Sequence, residues 1–447
     1  MHTANRLINE FKPNHYDLHI TINRTARTFT GTATITGLAT QGNVVLHAKG
    51  LEFTAATING QQAAWEYAPD DEVSLRAPNT TPGDCTVIIE YKGTINDQLH
   101  GLYPCRYQHD GQQKELLATQ FESHYAREVF PCVDEPAAKA TFGLTLTTET
   151  GVTALSNMPV TSQEINKDAM VTTFATTPVM STYLLAFVVG DLQKATGSTK
   201  NGTEVNVYAT PVQPAKSLDF AVEHAIKTIE FFEKYFDTPY PLPKSDQVAL
   251  PDFANGAMEN WGLITYRESA LLYDPDTTSI ASKQYIATVI SHELSHQWFG
   301  NLVTMAWWDD LWLNESFATV MEYVCVDALY PEWNAWLEFN TNESMYALRR
   351  DSLDGVQPVK VAVHHPDEIQ SVFDGAIVYA KGARLMRMLQ AYVGEEAFKT
   401  GLSDYFKNHA YGNTTGQDLW DSIARTSGKD VGSFMNAWLT QSGFPVV

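Results

Sequence analysis

The sequence predicts an α+β protein in which an antiparallel β-sheet domain precedes a mostly helical domain. From residue 14 to about residue 190, short runs rich in Thr and Val, such as HYDLHITI and CTVIIEYKG, alternate apolar and polar residues. This alternation is typical of strands with one buried face. After about residue 215, apolar residues recur at the spacing of amphipathic helices. We therefore predict two domains, at residues 1–190 and 191–447.

Turn and helix signals place individual elements within these domains. Asn59 with Gly60, and the PGD run at 82–84, separate predicted strands. Asn314 is expected to cap the third predicted helix and Pro331 to end it. The predicted helices cover 215–236, 281–299, 314–329, 332–349, 376–392 and 395–409.

The composition restricts the compartment and the partners of the chain. Its 447 residues include 30 Lys and Arg against 52 Asp and Glu, a formal charge of −22. Such an acidic surface repels phosphate backbones, so we expect no nucleic-acid partner. The four cysteines are scattered without a CxxC pair, which favours a reducing compartment. The N-terminal residues lack the apolar core of a signal peptide, and the most apolar stretch, at 183–189, is too short to cross a bilayer. We expect a cytoplasmic monomer without membrane contact.

The run SHELSH carries the strongest chemical signal. His292 and His296 are four residues apart, so on a helix they lie one turn apart on the same face. Two imidazoles placed in this way can bind one zinc ion. Glu293 lies beside them and can reach a metal-bound water without ligating the metal. The alternative is a chance match on an ordinary amphipathic helix.

A zinc site also needs a third protein ligand. The HExxHxxGxxH pattern fails, because Phe299 and Leu302 stand where it requires glycine and histidine. Glu315, at the N-terminal end of the next predicted helix, is the remaining candidate. By itself a glutamate there is explained by the helix dipole, but its pairing with HExxH favours a zinc ligand. Two imidazoles and a carboxylate suit zinc, although cobalt or manganese can occupy such a site.

Several motifs together resemble one known family. GAMEN at 256–260, followed by HExxH and by Glu315, is similar to the aminopeptidase N family of gluzincin zinc aminopeptidases. The segments TQFESHYAREVFPCVDEPAAKATF, MSTYLLAFVVGDL and FDGAIVYAKGARLMRM agree, and the resemblance runs from about Phe11 to the end. It implies an N-terminal β-sheet domain and a thermolysin-like catalytic zinc domain, with the chain stopping before the family's C-terminal domains.

The resemblance also implies an activity and a role for each matching residue. It implies hydrolysis of the N-terminal residue from short peptides with a free N-terminus, by a water activated by one Zn²⁺ per chain. Glu293 matches the general base and Tyr379 the oxyanion-stabilising tyrosine. The zinc ligands implied are His292, His296 and Glu315. The residues implied in substrate binding are Gln120, Glu122, Gly256, Ala257 and Glu259.

Two departures from the family pattern bear on this expectation. Ser316 replaces the usual glycine of NEGFA, and because serine suits a helix better than glycine, we expect the zinc site to be undisturbed. The ESHYARE segment differs from commoner forms at His124, Tyr125 and Glu128, which leaves the preferred N-terminal residue of the substrate open.

Three alternatives stay open at the sequence level. One is a non-catalytic peptide-binding fragment that lacks its covering domains. Another is a zinc epoxide hydrolase relative that uses the same metal site. The third concerns Glu322, which lies seven residues after Glu315 and is either a hydrogen-bond partner of a ligand histidine or a member of a surface salt bridge.

Overall fold

The computed structural model describes residues 3–445, and the N-terminal part of this range is built from three β-sheets. The two predicted domains, 1–190 and 191–447, also include four residues outside this range, which are 1, 2, 446 and 447. The N-terminal strands are β1 Phe11–Asn23, β2 Thr28–Ala39, β3 Val44–His47, β4 Glu52–Ile58, β5 Gln61–Gln62, β6 Ala64–Tyr67, β7 Glu72–Arg76, β8 Gly83–Thr94, β9 Gly101–His109, β10 Gln112–Gln120, β11 Thr141–Glu149, β12 Thr153–Ser156, β13 Val160–Asn166, β14 Ala169–Phe174 and β15 Phe187–Gly190.

These strands form sheets of eight, three and four strands. The sheet orders are β13-β14-β11-β1-β2-β8-β4-β5, β3-β7-β6 and β12-β15-β10-β9. In β1 the alternation is plain, because Tyr16, Leu18 and Ile20 are buried while Lys12 and His19 are exposed. Among the described strands β1 to β15, the pairing is antiparallel except between β1 and β11, which is parallel. These two strands are separated by a long excursion of the chain rather than by a hairpin, which permits the parallel pairing.

The second part contains a sheet that the helical pattern did not predict. Its strands are β16 Gln193–Ser198, β17 Glu204–Ala209, β18 Lys244–Leu250, β19 Ala257–Met258 and β20 Leu263–Arg267. The order is β16-β17-β18-β20-β19, so β19 lies at an edge. Every residue of β18 is buried, and a strand buried on both faces shows no alternation in its sequence. The last strand of the N-terminal sheets ends at Gly190 and the first strand of this sheet begins at Gln193. The division into domains at 190/191 stays a prediction.

Helices make up most of the remaining structure, and the α+β class is confirmed. They are α1 Asp219–Phe236, α2 Ile280–Ser295, α3 Trp312–Leu329, α4 Ala335–Thr341, α5 Glu343–Asp351, α6 Ile369–Val372, a π-helix at Gly375–Lys381, α7 Gly382–Val393, α8 Glu395–His409, α9 Gly416–Ser427 and α10 Val431–Thr440. A short parallel pair, β21 Thr304–Met305 with β22 Asn413–Thr414, joins the connection between α2 and α3 to the connection between α8 and α9. No helix in the range 3–445 is long and apolar enough to span a bilayer.

Three helix predictions need correction. The helix predicted at 332–349 is two helices, α4 and α5, that meet at Asn342. Helices α9 and α10 were not predicted. Asn314 does not cap α3, because the helix begins at Trp312 and the Asn314 amide instead donates a hydrogen bond to the hydroxyl of Tyr183, 3.3 Å away.

Aromatic packing holds the connection between α2 and α3 in place. Phe299 stacks on Phe317 with ring centroids 4.4 Å apart, and Trp312 stacks on Trp420 at 5.0 Å. Trp298 is fully buried, and its ring packs against aromatic side chains of α1. Large buried aromatic side chains contribute much of the packing energy of such a core. The chain is thereby brought back so that the start of α3 lies against the end of α2.

Candidate metal and active site

Three potential metal ligands converge where α2 ends and α3 begins. His292 lies in the last turn of α2 and His296 follows it, with their Nε2 atoms 3.1 Å apart. The Glu315 carboxylate, from the first turn of α3, lies 3.3 Å from His292 Nε2 and 3.4 Å from His296 Nε2. Two imidazole nitrogens and a carboxylate oxygen are the donor set of catalytic zinc sites that leave one position open. The donor set therefore fits zinc.

Hydrogen bonds on the far side of each imidazole orient these donors. His292 Nδ1 lies 2.6 Å from Glu322 Oε2, and His296 Nδ1 lies 3.0 Å from the carbonyl of Phe299. Each Nδ1 therefore has an acceptor, which leaves both Nε2 atoms available to a metal. Of the two alternatives for Glu322, the structure selects the hydrogen bond to a candidate ligand histidine.

The electrostatics of the site also favour a bound cation. Burial would raise the pKa of Glu315, but the charges and hydrogen bonds of His296 and His292 lower it to about 2. Burial, and then the charge of Glu259, raise the pKa of Glu122 well above its ordinary value. Burial likewise raises the pKa of Glu293 to about 8. Clustered buried carboxyls of this kind are characteristic of sites that bind positive charge.

Unpartnered carboxylate oxygens line the same cavity, whose volume is about 540 Å³. Among the described residues, Glu122 Oε1, Glu259 Oε1 and Glu293 Oε2 are buried without a hydrogen-bond partner. Burial of an unpaired carboxylate is costly, so a native protein keeps such oxygens for a partner that binds there. Glu259 Oε1 lies 4.0 Å from His296 Nδ1, which puts this carboxylate directly behind the ligand cluster.

The cavity is bordered by an exposed sheet edge. Gly256 and Ala257 line it, and β19 is the outermost strand of its sheet, paired on one side with β20 through Ala257 and Tyr266. An edge strand offers backbone donors and acceptors to an extended peptide. The site thus combines a metal-binding cluster with a surface that can take a peptide as an additional strand.

Tyr379 enters the cavity from the π-helix. Its ring lies over the ring of His292 with centroids 6.2 Å apart. Burial, followed by the nearby charge of Glu315, raises the pKa of the Tyr379 hydroxyl, which therefore keeps its proton and can donate it in a hydrogen bond. The sequence predicted an α-helix here, whereas π-turns are rare and often occur at functional sites.

The structure places nine of the ten predicted site residues around one cavity. The exception is Gln120, at the end of β10, which is buried but does not line the cavity. Its amide atoms are without hydrogen-bond partners among the described residues. The nine residues that line the cavity are Glu122, Gly256, Ala257, Glu259, His292, Glu293, His296, Glu315 and Tyr379.

Sequence reasoning missed the aromatic walls of the cavity. Tyr285 on α2 and Tyr346 on α5 are about half exposed and line it from two sides. Phe373, just before the π-helix, also lines it. Tyrosine occurs twenty times in the chain, so no local signal distinguishes these rings from ordinary surface residues. Only the tertiary structure, which places α2, α5 and the π-helix around one cavity, brings them together.

The fold and the cluster define the class of protein. A glutamate beside the first of two helical histidines, a carboxylate on the next helix as the third candidate ligand, and an edge strand beside the cavity are together typical of an HExxH metallopeptidase. The chain belongs to peptidase family M1. Residues 220–438 match the family model described as "Peptidase family M1 domain", and residues 12–184 match "Peptidase M1 N-terminal domain". The family resemblance predicted from the motifs is confirmed.

Curated relatives extend this finding along almost the whole chain. Aminopeptidase N of Lactococcus lactis subsp. lactis is 52% identical over 447 residues, which cover 99% of this chain and 52% of the relative. Aminopeptidase N of Lactobacillus helveticus is 47% identical, over 99% of this chain and 52% of the relative. Aminopeptidase M1 of Arabidopsis thaliana is 43% identical, over 97% and 51% respectively. The chain spans about half the length of the curated relatives that it matches.

Proposed function

We propose that this chain carries the catalytic site of a zinc-dependent aminopeptidase that removes the N-terminal residue from short peptides. The main observation behind the proposal is that two features line one cavity. One is the ligand cluster His292, His296 and Glu315, for one zinc ion per chain. The other is the pair of buried carboxylates of Glu122 and Glu259, each with one oxygen that has no hydrogen-bond partner among the described residues. The names of the relatives support the same activity.

The two carboxylates explain how a free N-terminus is selected. Glu259 and Glu122 would accept hydrogen bonds from the α-ammonium group of the substrate, which supplies the positive charge that their burial calls for. The peptide backbone would lie along the β19 edge beside Gly256 and Ala257. An acetylated N-terminus is neutral and would leave both carboxylates without a cation, a substantial cost. Exopeptidase specificity follows from this arrangement.

The residues around the metal position divide the chemistry among them. Zinc, when bound, would supply Lewis acidity toward the scissile carbonyl and lower the pKa of the attacking water. Glu293 takes the proton of that water and returns it to the leaving amine. The Tyr379 hydroxyl donates a hydrogen bond to the oxygen on which negative charge develops. One such donor typically contributes about 3 kcal/mol to transition-state stabilisation.

The test is hydrolysis of a panel of aminoacyl-arylamides alongside their N-acetylated counterparts, with metal content measured on the same sample. We expect cleavage of free substrates alone, about one zinc per chain as a single HExxH-type site requires, and loss of turnover on chelation that zinc restores. Glu293→Gln should abolish turnover but retain the metal, whereas Glu396→Gln, an exposed change on α8, should leave both turnover and metal content unchanged. Cleavage of acetylated substrates at equal rates would refute the role of the carboxylates.

Two outcomes would favour the alternatives. Zinc and N-terminal peptides that bind without turnover would indicate a peptide-binding fragment. Turnover of a lipid epoxide in preference to the arylamides would indicate the epoxide hydrolase relative. Failure to bind zinc even after reconstitution would refute the metal site itself.

A further inference from the structure

The serine that departs from the family pattern makes a contact that glycine could not. Ser316 is fully buried on α3, one residue after Glu315. Its hydroxyl donates a hydrogen bond of 2.6 Å to the carbonyl of Val378, the residue before Tyr379. A single side chain thus joins the helix that carries a metal ligand to the segment that carries the oxyanion donor.

The segment that receives this hydrogen bond has an altered backbone pattern. In a regular α-helix the Val378 carbonyl would accept from the amide of Gly382. Here the Gly382 amide donates instead to the carbonyls of Ile377 and Tyr379. The Ser316 hydroxyl provides a donor for the Val378 carbonyl at the point where the α-helical donor has been redirected. Buried carbonyls are almost always paired, so this contact helps to stabilise the π-turn.

The neighbouring glycine is required for this approach. A Cβ atom at position 382 would overlap the Ser316 hydroxyl and lie 2.7 Å from Ser316 Cβ. Gly382 therefore leaves the space into which the serine side chain fits. The N-terminal end of the π-helix is held separately by Asp374, which accepts from the Ala376 amide and from Arg350, both at 3.0 Å. Ser316 is the side chain that anchors its middle to α3.

We propose that Ser316 is a positioning residue for Tyr379, acting through the Val378 carbonyl to hold the tyrosine hydroxyl at a set distance from the metal site. The inference rests on the proposed function, since Tyr379 matters only if it stabilises an oxyanion. Displacement of a catalytic group by 1 Å can cost roughly a hundredfold in rate. The hydrogen bond from Ser316 to Val378, one residue before Tyr379, can therefore affect turnover although neither residue contacts the substrate.

The first measurement is structural and does not depend on activity. Crystal structures of the wild-type chain and of Ser316→Ala should differ by more than about 0.5 Å in the position of the Tyr379 hydroxyl relative to Glu315, a displacement that matters for catalytic geometry. Alanine keeps the helix and removes only the oxygen. A π-helix and a tyrosine unmoved in Ser316→Ala would overturn the proposal, whatever the activity of the chain.

The kinetic measurement is a double-mutant cycle. Ser316→Ala should lower kcat about tenfold with little change in KM and an unchanged zinc content, because the groups that bind the ground state are untouched. In the background of Tyr379→Phe, the same substitution should change kcat by less than about twofold, since its effect passes through the absent hydroxyl. Equal losses of kcat in both backgrounds would show that Ser316 acts independently of the Tyr379 hydroxyl and would overturn the proposal.

A matched control is available in the same chain. The Thr426 hydroxyl on α9 donates to the Ala397 carbonyl of α8 at 2.7 Å, beside Gly401, and none of these residues lines the cavity. Thr426→Val removes an equivalent contact between helices and should leave kcat unchanged. An inactive wild-type chain would refute the proposed function, and the crystallographic comparison would then still decide the role of Ser316.

Discussion

The hydrogen bond that His292 Nδ1 donates to Glu322 leads to a quantitative prediction for metal affinity. At 2.6 Å between buried side chains, it fixes the ring of His292 and raises the basicity of the nitrogen that faces the metal. Loss of such a partner typically costs between 10- and 100-fold in metal affinity, about 1.4 to 2.7 kcal/mol. Glu322→Gln keeps an acceptor but loses the charge, so we expect about tenfold weaker zinc binding. Glu322→Ala leaves Nδ1 without its acceptor, so we expect about a hundredfold.

The assay is competition for zinc between the protein and a chelator of known affinity, at constant pH. Glu343→Gln is the matched control, because Glu343 lines the same cavity but, within residues 3–445, makes no hydrogen bond to either histidine. Its zinc affinity should change by less than about threefold, since distant charges in a solvated cavity couple weakly. If Glu322→Gln, Glu343→Gln and the wild type bind zinc with the same affinity, the hydrogen bond between His292 and Glu322 does not tune the metal site.

Three further predictions concern buried residues. Burial lowers the pKa of Lys139 from 10.5 to about 7, so the unfolded chain binds the proton more tightly and this residue makes stability rise between pH 7 and pH 10. Lys139→Met should therefore raise the thermal unfolding midpoint at pH 7 and flatten that rise. Lys244→Met should instead lower the free energy of unfolding by about 3 kcal/mol. The Lys244 amine lies 2.6 Å from the buried carboxylate of Asp246, and the substitution leaves that carboxylate without its cation. Calorimetry at pH 7 and pH 9 distinguishes the two, and equal shifts would contradict the reasoning. Gly382→Ala should cost about 2 kcal/mol of unfolding free energy by overpacking against Ser316. In a Ser316→Gly background the nearest remaining atom is 3.6 Å from the added Cβ, so chemical denaturation should show that Gly382→Ala costs much less there. If Gly382→Ala costs the same with and without the Ser316 side chain, the clash lies elsewhere.

Whether the sequence pattern predicts an element correctly depends on how that element is buried. Strands such as β1 have one buried face, so their alternation was visible, whereas β18 is buried throughout and its strand character was missed. The π-helix was read as α-helical because, over seven residues, its longer repeat cannot be separated from 3.6 residues per turn. The residue type of Asn314 predicts an N-cap. The helix instead begins two residues earlier, at Trp312, whose ring packs on Trp420.

The sequence by itself determined the local part of the site. The spacing of His292 and His296 is one helical turn, so any helix formed there presents both imidazoles on one face, with Glu293 next to them. Glu259 and Tyr379 could be singled out only through the resemblance of their motifs to a family. No periodicity in either neighbourhood distinguishes them.

Tertiary structure decided everything that depends on distance between elements. It brought Glu315 and Glu322 from α3 to the histidines of α2, and it left the carboxylates of Glu122 and Glu259 unpartnered in the same cavity. It also connected Ser316 to the backbone beside Tyr379. Contacts between residues tens or hundreds of positions apart arise from the packing of whole elements around shared cores. Local sequence patterns record which face of an element is buried, but not which partner covers it.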